Sequence, residues 1–203
     1  MNDPLVVLGL HTTLFELLAF VLSVTTVALN IRQNHWAWLF AIVSSAAYGV
    51  VFFNSRLYGD AGLQVVFIVV SVWGWRSWLH GAGGGQLAVS TLEGSGWLAA
   101  GAGWLFAYLV LAWFLRSYTN TDVPHTDAFL TAGSLVGQVL LSRKKLENWH
   151  AWIIVDVLYV GLYVYKGLLL TALLYALFVA MALAGLLAWR RSMSVSAPVP
   201  AAP

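Results

Sequence analysis

Charged residues and cysteine are both scarce in this sequence. Charged side chains make up 9% of the 203 residues, whereas a soluble domain averages about 25%. With a hydrophobic fraction of 61%, the chain has too few charges to cover a surface in water, so we expect it to be embedded in hydrocarbon. The absence of cysteine excludes disulfides, thiolate metal sites and cysteine nucleophiles, and leaves the redox compartment open.

The few basic residues do not form a patch. The net charge is only +2, and the basic residues fall near helix ends, which argues against nucleic acid as a partner. The N-terminal stretch lacks a basic region and a small-residue cleavage site, so no removable signal peptide is expected. The histidines lie apart without metal-ligand or catalytic spacing, so we predict no metal, no cofactor and no catalytic residue: His11, His35, His80, His125 and His150.

Seven apolar segments approach the length of about 20 residues that a membrane-spanning helix needs. We predict helices over 14–31, 36–54, 60–79, 97–115, 126–142, 149–165 and 168–189. The Gly-rich stretch 81–96 is predicted to be a flexible loop. Residues 1–192 then form a single all-α transmembrane domain, and the Pro- and Ser-containing residues 193–203 form a disordered tail.

Lysine and arginine predict the orientation, since they are enriched on the cytoplasmic side. Seven spans place seven basic residues on one face: Arg32, Arg76, Arg143, Lys144, Lys145, Arg190 and Arg191. The other face receives three: Arg56, Arg116 and Lys166. This difference predicts an inner-membrane protein with its N-terminus outside and its C-terminus in the cytoplasm.

The two ends of the chain resemble each other. Four pairs are separated by 111 positions: Glu16 and Asp127, Ser23 and Ser134, Gln64 and Tyr175, and Trp78 and Trp189. The pattern Asn34-x-x-x-Trp38 matches Asn148-x-x-x-Trp152 at a separation of 114, which predicts a three-residue insertion in the second half.

The matches predict repeat one over about 14–80, a linker helix over about 97–115 and repeat two over about 126–191. Because a single helix links the two groups of three helices, both triplets enter the membrane in the same direction. This arrangement is a 3+1+3 parallel repeat. Transporters built in this way bind substrate near the midplane, between the repeats.

Polar and aromatic residues follow helical spacing along single faces. Helix five carries Asp127, Thr131, Ser134 and Gln138, and helix six carries Trp149, Trp152, Asp156, Tyr159 and Tyr163. Trp38 and Tyr48 of helix two, Gln64 of helix three and Tyr175 of helix seven complete the candidate set. Single polar residues of this kind often serve only to hydrogen-bond helices together. Here, however, the polar residues form aligned stripes, and an ionised carboxylate in the middle of the membrane costs about 2.5–3.5 kcal/mol. Both points favour a water-accessible cavity.

The chemistry of these stripes predicts the kind of ligand. Trp and Tyr faces attract cations, Asp127 and Asp156 add negative potential, and Gln64, Gln138 and Asn148 can bond to hydroxyls. None of the stripes contains Lys or Arg, so a phosphate would find no cationic partner. The best-matched ligand is a flat, cationic small molecule that bears hydroxyl groups.

Two long segments resemble the PnuC family of bacterial vitamin transporters. They are FFNSRLYGDAGLQVVFIVVSVWGWRSW in the first half and DAFLTAGSLVGQVLLSRKKLENWHAWIIVDVLYVGLYVYKGLLLTALLYALF in the second. The second segment includes the Trp149-x-x-Trp152 motif after Glu147-Asn148. The resemblance covers about residues 14–191.

The resemblance implies a seven-helix 3+1+3 fold related to the SWEET sugar transporters. It implies uptake of nicotinamide riboside by facilitated diffusion, with trapping by a cytoplasmic kinase that phosphorylates the product, and a homotrimer. Trp149, Trp152 and Asn148 would line the substrate site, with Gln64 and Gln138 reaching it. Sister branches carry thiamine and other vitamins or nucleosides, and thiamine, also a flat cation, stays open as an alternative.

The sequence argues against two other classes of protein. A membrane enzyme lacks support because the histidines are scattered. A retinal-type seven-helix receptor needs a buried lysine for its Schiff base, whereas helix 168–189 has none and Lys166 lies in a connection.

Overall fold

The computed structural model of the chain describes residues 5–7, 10–12, 14–54, 58–81, 87–119, 121–165, 167 and 169–195. Arg56 and Lys166, on which part of the predicted orientation rests, lie outside these residues, as do 82–86 of the Gly-rich stretch and 196–203 of the predicted tail.

Seven helices dominate the described chain, as the sequence predicts. They are α1 (Leu14–Ile31), α2 (Ala37–Asn54), α3 (Tyr58–Leu79), α4 (Gly94–Tyr118), α5 (Pro124–Ser142), α6 (Asn148–Tyr165) and α7 (Leu169–Val195). Two short antiparallel strands that were not predicted precede them, β1 (Leu5–Val7) and β2 (Leu10–Thr12). Three residues per strand are too few to show an alternating pattern.

Two helices run past their apolar segments. α4 begins at Gly94, and α7 continues through Arg190 and Arg191 to Val195. Backbone hydrogen bonding continues where the side chains become polar, so hydropathy underestimates helix length. Residues 193–195, predicted to be disordered, are therefore the last turn of α7.

Large apolar side chains point away from the protein. Three helices are long and apolar enough to cross a membrane by themselves, in Gly62–Leu79, Gly94–Tyr118 and Thr171–Ser194. On α4, Leu98 is 77% exposed and Phe106 is 71% exposed. Exposed apolar patches of this extent mark a surface that meets lipid or another protein.

Six of the helices form a ring. Helix α1 packs against α2, α2 against α3, α3 against α5, α5 against α6, α6 against α7, and α7 returns to α1. Helix α4 packs on α5, outside the ring. The ring order places α2 opposite α6, and α1 opposite α5.

A layer of four tryptophans lies across one end of the ring, and we call it the tryptophan layer. The rings of Trp38 and Trp78 meet edge to face at 5.4 Å and 87°. Those of Trp149 and Trp189 do the same, also at 5.4 Å and 87°. Trp78 and Trp189 lie 6.1 Å apart and join the two pairs. Edge-to-face contacts at these distances are favoured by the ring quadrupoles.

Two hydrogen bonds tie this layer to neighbouring helices of the ring. The indole N–H of Trp78, on α3, donates to the carbonyl of Leu141 on α5 at 3.0 Å. The indole N–H of Trp189, on α7, donates to the carbonyl of Asn30 on α1 at 3.1 Å. Donors and acceptors both differ by 111 in residue number, so the two bonds occupy corresponding positions in the two triplets.

The same separation corrects one prediction. Trp38 and Trp149 make corresponding contacts and differ by 111. Helices α2 and α6 also begin 111 positions apart, at Ala37 and Asn148. Trp38 therefore corresponds to Trp149 and not to Trp152, and the predicted three-residue insertion is wrong. The repeated Asn-x-x-x-Trp spacing suggested it because each repeat has Asn and Trp near this turn.

The two turns that end α1 and α5 meet beside the tryptophan layer. Gln33 and Lys144 both have positive φ, 54° and 48°, and also differ by 111. Lys144 Nζ donates to Gln33 Oε1 at 3.4 Å and lies 4.6 Å from the Trp78 ring centroid. Gln33 Nε2 donates to Ser192 Oγ on α7 at 3.1 Å. Burial lowers the pKa of Lys144.

Part of the stretch predicted to be flexible is held in place. Ser90 forms a short parallel bridge with the turn before α6: its N–H donates to the Lys144 carbonyl at 3.1 Å, and its carbonyl accepts from the N–H of Leu146 at 2.9 Å. The buried Glu147 accepts the N–H of Leu92 at 3.0 Å. These backbone bonds fix residues that composition alone assigns to a flexible loop.

Removing one indole donor tests the tryptophan layer. We expect Trp189→Phe to lower the melting temperature of detergent-purified protein by about 2–4 °C, because a hydrogen bond contributes about 1 kcal/mol. Trp113→Phe, on the exposed face of α4, is the matched control. Equal melting of the two variants would contradict the role of the layer.

A second test uses the glycine beneath Trp149. A Cβ built on Gly185 would lie 2.5 Å from Cη2 of Trp149, so we expect Gly185→Ala to displace that ring and destabilise the fold by about 1–3 kcal/mol. Gly161→Ala, where no atom lies within 4 Å of the added Cβ, should cause no loss. Thermal melting of both variants measures the difference, and an unchanged Gly185→Ala protein would refute the contact.

Candidate functional site

A cavity of about 380 Å³ lies inside the helix ring. Its lining comes from all six ring helices and combines polar and aromatic side chains. The polar members are Ser23, Thr26, Asn30, Ser44, Ser45, Ser71, Ser134, Gln138 and Asp156. The aromatic members are Trp38, Phe67, Trp149, Trp152, Tyr159, Tyr175 and Phe178. A mostly apolar cavity with a few convergent polar groups is the usual form of a small-molecule site.

Eight of the predicted site residues meet in this cavity. They are Trp38, Ser134, Gln138, Trp149, Trp152, Asp156, Tyr159 and Tyr175. They come from α2, α5, α6 and α7, so both triplets contribute. The tryptophan layer bounds one end, because Asn30 and Leu141, whose carbonyls accept its indole bonds, also line the cavity.

Six predicted residues lie outside the lining: Tyr48, Gln64, Asp127, Thr131, Asn148 and Tyr163. A helical stripe continues along a whole helix, whereas the cavity meets only part of its length. Asp127 lies in the first turn of α5, where it accepts a hydrogen bond from Thr121. Tyr163 lies one turn beyond Tyr159 and stacks on its ring at 5.7 Å and 16°.

Asn148, which was predicted at the substrate site, lies outside the cavity lining and makes a contact within its own turn. It is the first residue of α6 and fully buried, and its Nδ2 donates to the carbonyl of Lys145 at 2.6 Å. It therefore closes the turn between α5 and α6. The sequence predicted Asn148 at the substrate site because it directly precedes the Trp149-x-x-Trp152 motif.

Asp156 provides the cavity's carboxylate. It is 5% exposed and lies seven residues beyond Trp149, two turns along the same face of α6. Within the described part of the chain, neither a cation nor a hydrogen-bond donor contacts its side chain. An ionisable residue in the interior of a membrane helix is a candidate functional position.

Trp152 is held with one ring face against α5. A Cβ built on Gly137 would lie 3.2 Å from Cε2, 3.4 Å from Nε1 and 3.5 Å from Cδ2 of Trp152. A methyl group at this position would make a tight contact and push the indole away from α5 by a few tenths of an ångström. The ring is therefore supported from behind while Trp152 lines the cavity.

Eight polar or aromatic residues of the lining are not among the predicted site residues: Ser23, Thr26, Asn30, Ser44, Ser45, Phe67, Ser71 and Phe178. Phe67 and Phe178 again differ by 111, so the repeat itself contained a signal that would have found them. Ser45 lies seven residues beyond Trp38, on the helix face that Trp38 shares with Tyr48, and Ser44 is its neighbour.

The family model described as nicotinamide mononucleotide transporter matches residues 13–191. The riboflavin/roseoflavin transporter RibM of Streptomyces davaonensis is 27% identical over 206 residues, covering 98% of this chain and 95% of RibM. The nicotinamide riboside transporter PnuC of Escherichia coli is 25% identical over 181 residues, covering 76% of each protein.

A solved structure shares the fold of this chain. A crystal structure described as the vitamin B3 transporter PnuC superposes with a TM-score of 0.68 and 22% sequence identity, covering 88% of this chain and 81% of that one. The family and the apolar helices indicate a multi-pass protein of the inner membrane that carries a small molecule. Because the family model spans nearly the whole chain, this protein belongs to the nicotinamide mononucleotide transporter family, the family of the PnuC vitamin transporters.

Proposed function

We propose that this chain takes up nicotinamide riboside across the bacterial inner membrane. The observation that carries the proposal is the Asp156 carboxylate in a cavity walled by aromatic rings and hydroxyls. Nicotinamide riboside has a flat cationic pyridinium ring and a ribose. Its cation complements Asp156, its ring fits an indole face, and its hydroxyls suit Gln138 and the serines.

The absence of cations from the lining favours a nucleoside over a nucleotide. The family description names a mononucleotide, whose phosphate is normally bound by Arg, Lys or clustered backbone N–H groups. None of the described residues that line the cavity is Lys or Arg. The phosphorylated compound would therefore enter the cavity without a partner for its charge.

The proposed mechanism is facilitated diffusion through a 3+1+3 parallel repeat of the SWEET type. The two equivalent indole–carbonyl bonds and the closed order of the six helices support this arrangement. Alternating access would rock the two triplets about the cavity between them. A cytoplasmic kinase would trap the substrate as its phosphate. The homotrimer and the orientation, N-terminus outside and C-terminus inside, belong to the same proposal.

Riboflavin is the second candidate. RibM, a riboflavin/roseoflavin transporter, aligns with this chain almost from end to end. Riboflavin also joins a flat ring to a hydroxylated arm, but its ring is neutral and does not need a carboxylate. Thiamine, a flat cation without a sugar, remains the alternative on charge alone.

A binding panel distinguishes these candidates. Titration of purified protein with nicotinamide riboside, nicotinamide mononucleotide, riboflavin and thiamine, followed by uptake into proteoliposomes, should give the lowest Kd and the fastest uptake for nicotinamide riboside. Tight binding of riboflavin with none of nicotinamide riboside would overturn the first assignment and support the second. Binding of none of them would overturn transport of this class.

We expect Trp152→Ala to abolish uptake while the protein still elutes as a folded particle, because the stacking surface is lost. Trp113→Ala, on the exposed face of α4, is the control. Uptake by Trp152→Ala at normal affinity would count against the site.

Asp156→Asn separates the role of charge from that of shape. It keeps the size of the side chain and removes the negative charge, so we expect at least a tenfold loss in affinity for nicotinamide riboside, about 1.4 kcal/mol. Riboflavin, being neutral, should serve as the internal control with little change. Equal losses for the two compounds would show that Asp156 acts structurally.

A further inference from the structure

The two facing helices of the cavity, α2 and α6, line it from three equivalent positions, and two of the three differ in side chain. On α6 these are Trp149, Trp152 and Asp156, at offsets of 0, 3 and 7, and all three line the cavity. Subtracting the repeat separation of 111 gives Trp38, Ala41 and Ser45 on α2, and these also line it. The equivalent positions thus keep the tryptophan of the layer and differ at the next two.

The first difference concerns space. Trp152 lies on Gly137 of α5, whereas its counterpart Ala41 carries only a methyl group. Because α2 and α6 stand on opposite sides of the ring, a bulky indole on one wall is matched by a small residue on the other. The cavity can then accept a flat ring against Trp152 without a clash from α2.

The second difference concerns polarity. Asp156 is ionisable, and its counterpart Ser45 is a hydroxyl with Ser44 beside it. Neither serine makes a hydrogen bond to any other residue that the structure describes, although serines in helices commonly bond the carbonyl four residues back. By contrast, Ser134 on α5 does so, to Leu130 at 3.0 Å. The two α2 hydroxyls are therefore available to a ligand.

We propose that Ser44 and Ser45 bind the hydroxylated arm of the substrate while its ring stacks on Trp152, so that the repeat's asymmetry orients the ligand with its ring toward α6 and its arm toward α2. This rests on the proposed function at the level of ligand class, a flat ring with a polyhydroxylated arm. It applies to a ribosyl or a ribityl arm alike, and it assigns specificity for the arm to the first triplet.

Pairs of ligands with and without the arm provide the test. Nicotinamide riboside is compared with 1-methylnicotinamide, which keeps the cationic ring, and riboflavin with lumiflavin, which keeps the flavin ring. Titrations use purified full-length protein. We expect Ser45→Ala and Ser44→Ala/Ser45→Ala to weaken binding of the armed ligand by about fivefold and tenfold or more, with less than a twofold change for its armless partner.

Two further variants make the result specific. Ser77→Ala, in α3 and outside the cavity lining, removes a hydroxyl elsewhere and should change neither Kd. Ala41→Leu fills the space opposite Trp152, so it should weaken armed and armless ligands by a similar factor. Equal losses of both ligands in the α2 serine variants, or no loss of the armed one, would overturn the proposal. If wild-type protein binds neither armed ligand, the proposed function itself fails.

Discussion

The pair of indole–carbonyl hydrogen bonds is the constraint on which the ring of helices depends. Each joins the last helix of one triplet to the first helix of the other, Trp78 to α5 and Trp189 to α1. In hydrocarbon a polar group gains little from its surroundings, so a donor that finds a carbonyl on a neighbouring helix specifies which helices meet. Two such bonds at corresponding positions close the ring from both sides.

Duplicated contacts do not require duplicated chemistry. The tryptophan layer is repeated almost identically, with both edge-to-face pairs at 5.4 Å and 87°. One and two turns away from it, the repeats diverge to Trp152 and Asp156 on one wall and to Ala41 and Ser45 on the other. A structural layer conserved between the halves can hold the frame while the neighbouring positions form an asymmetric site.

Helix α4 stands apart from this logic. It packs on α5, outside the ring, and its large apolar side chains face outward. In the proposed 3+1+3 arrangement it connects the two triplets, since three helices reverse the direction of the chain and a fourth restores it. The scarcity of polar residues in α4 agrees with an outer surface that meets lipid.

Much of the fold could be predicted because hydrocarbon leaves few alternatives. Seven apolar segments of the right length gave seven helices, with most ends correct to within three residues. The exceptions were α7, whose last turn is polar, and the stretch around Ser90, held by backbone bonds to a turn 55 residues later. Neither depends on apolar periodicity.

The sequence by itself determined the helices, the repeat separation and the faces that carry polar and aromatic residues, because periodicity is local and hydropathy decides burial in lipid. The tertiary structure decided the depth of the cavity along each stripe, which retained Trp152 and Asp156 and left out Asp127, Thr131 and Tyr163. It also decided that Trp38 corresponds to Trp149 in the repeat, since only packing shows that the two rings make equivalent contacts. A stripe specifies which side of a helix its residues occupy. A site also requires that residues from different helices lie at the same level along the helix axes, and that level depends on how neighbouring helices are staggered.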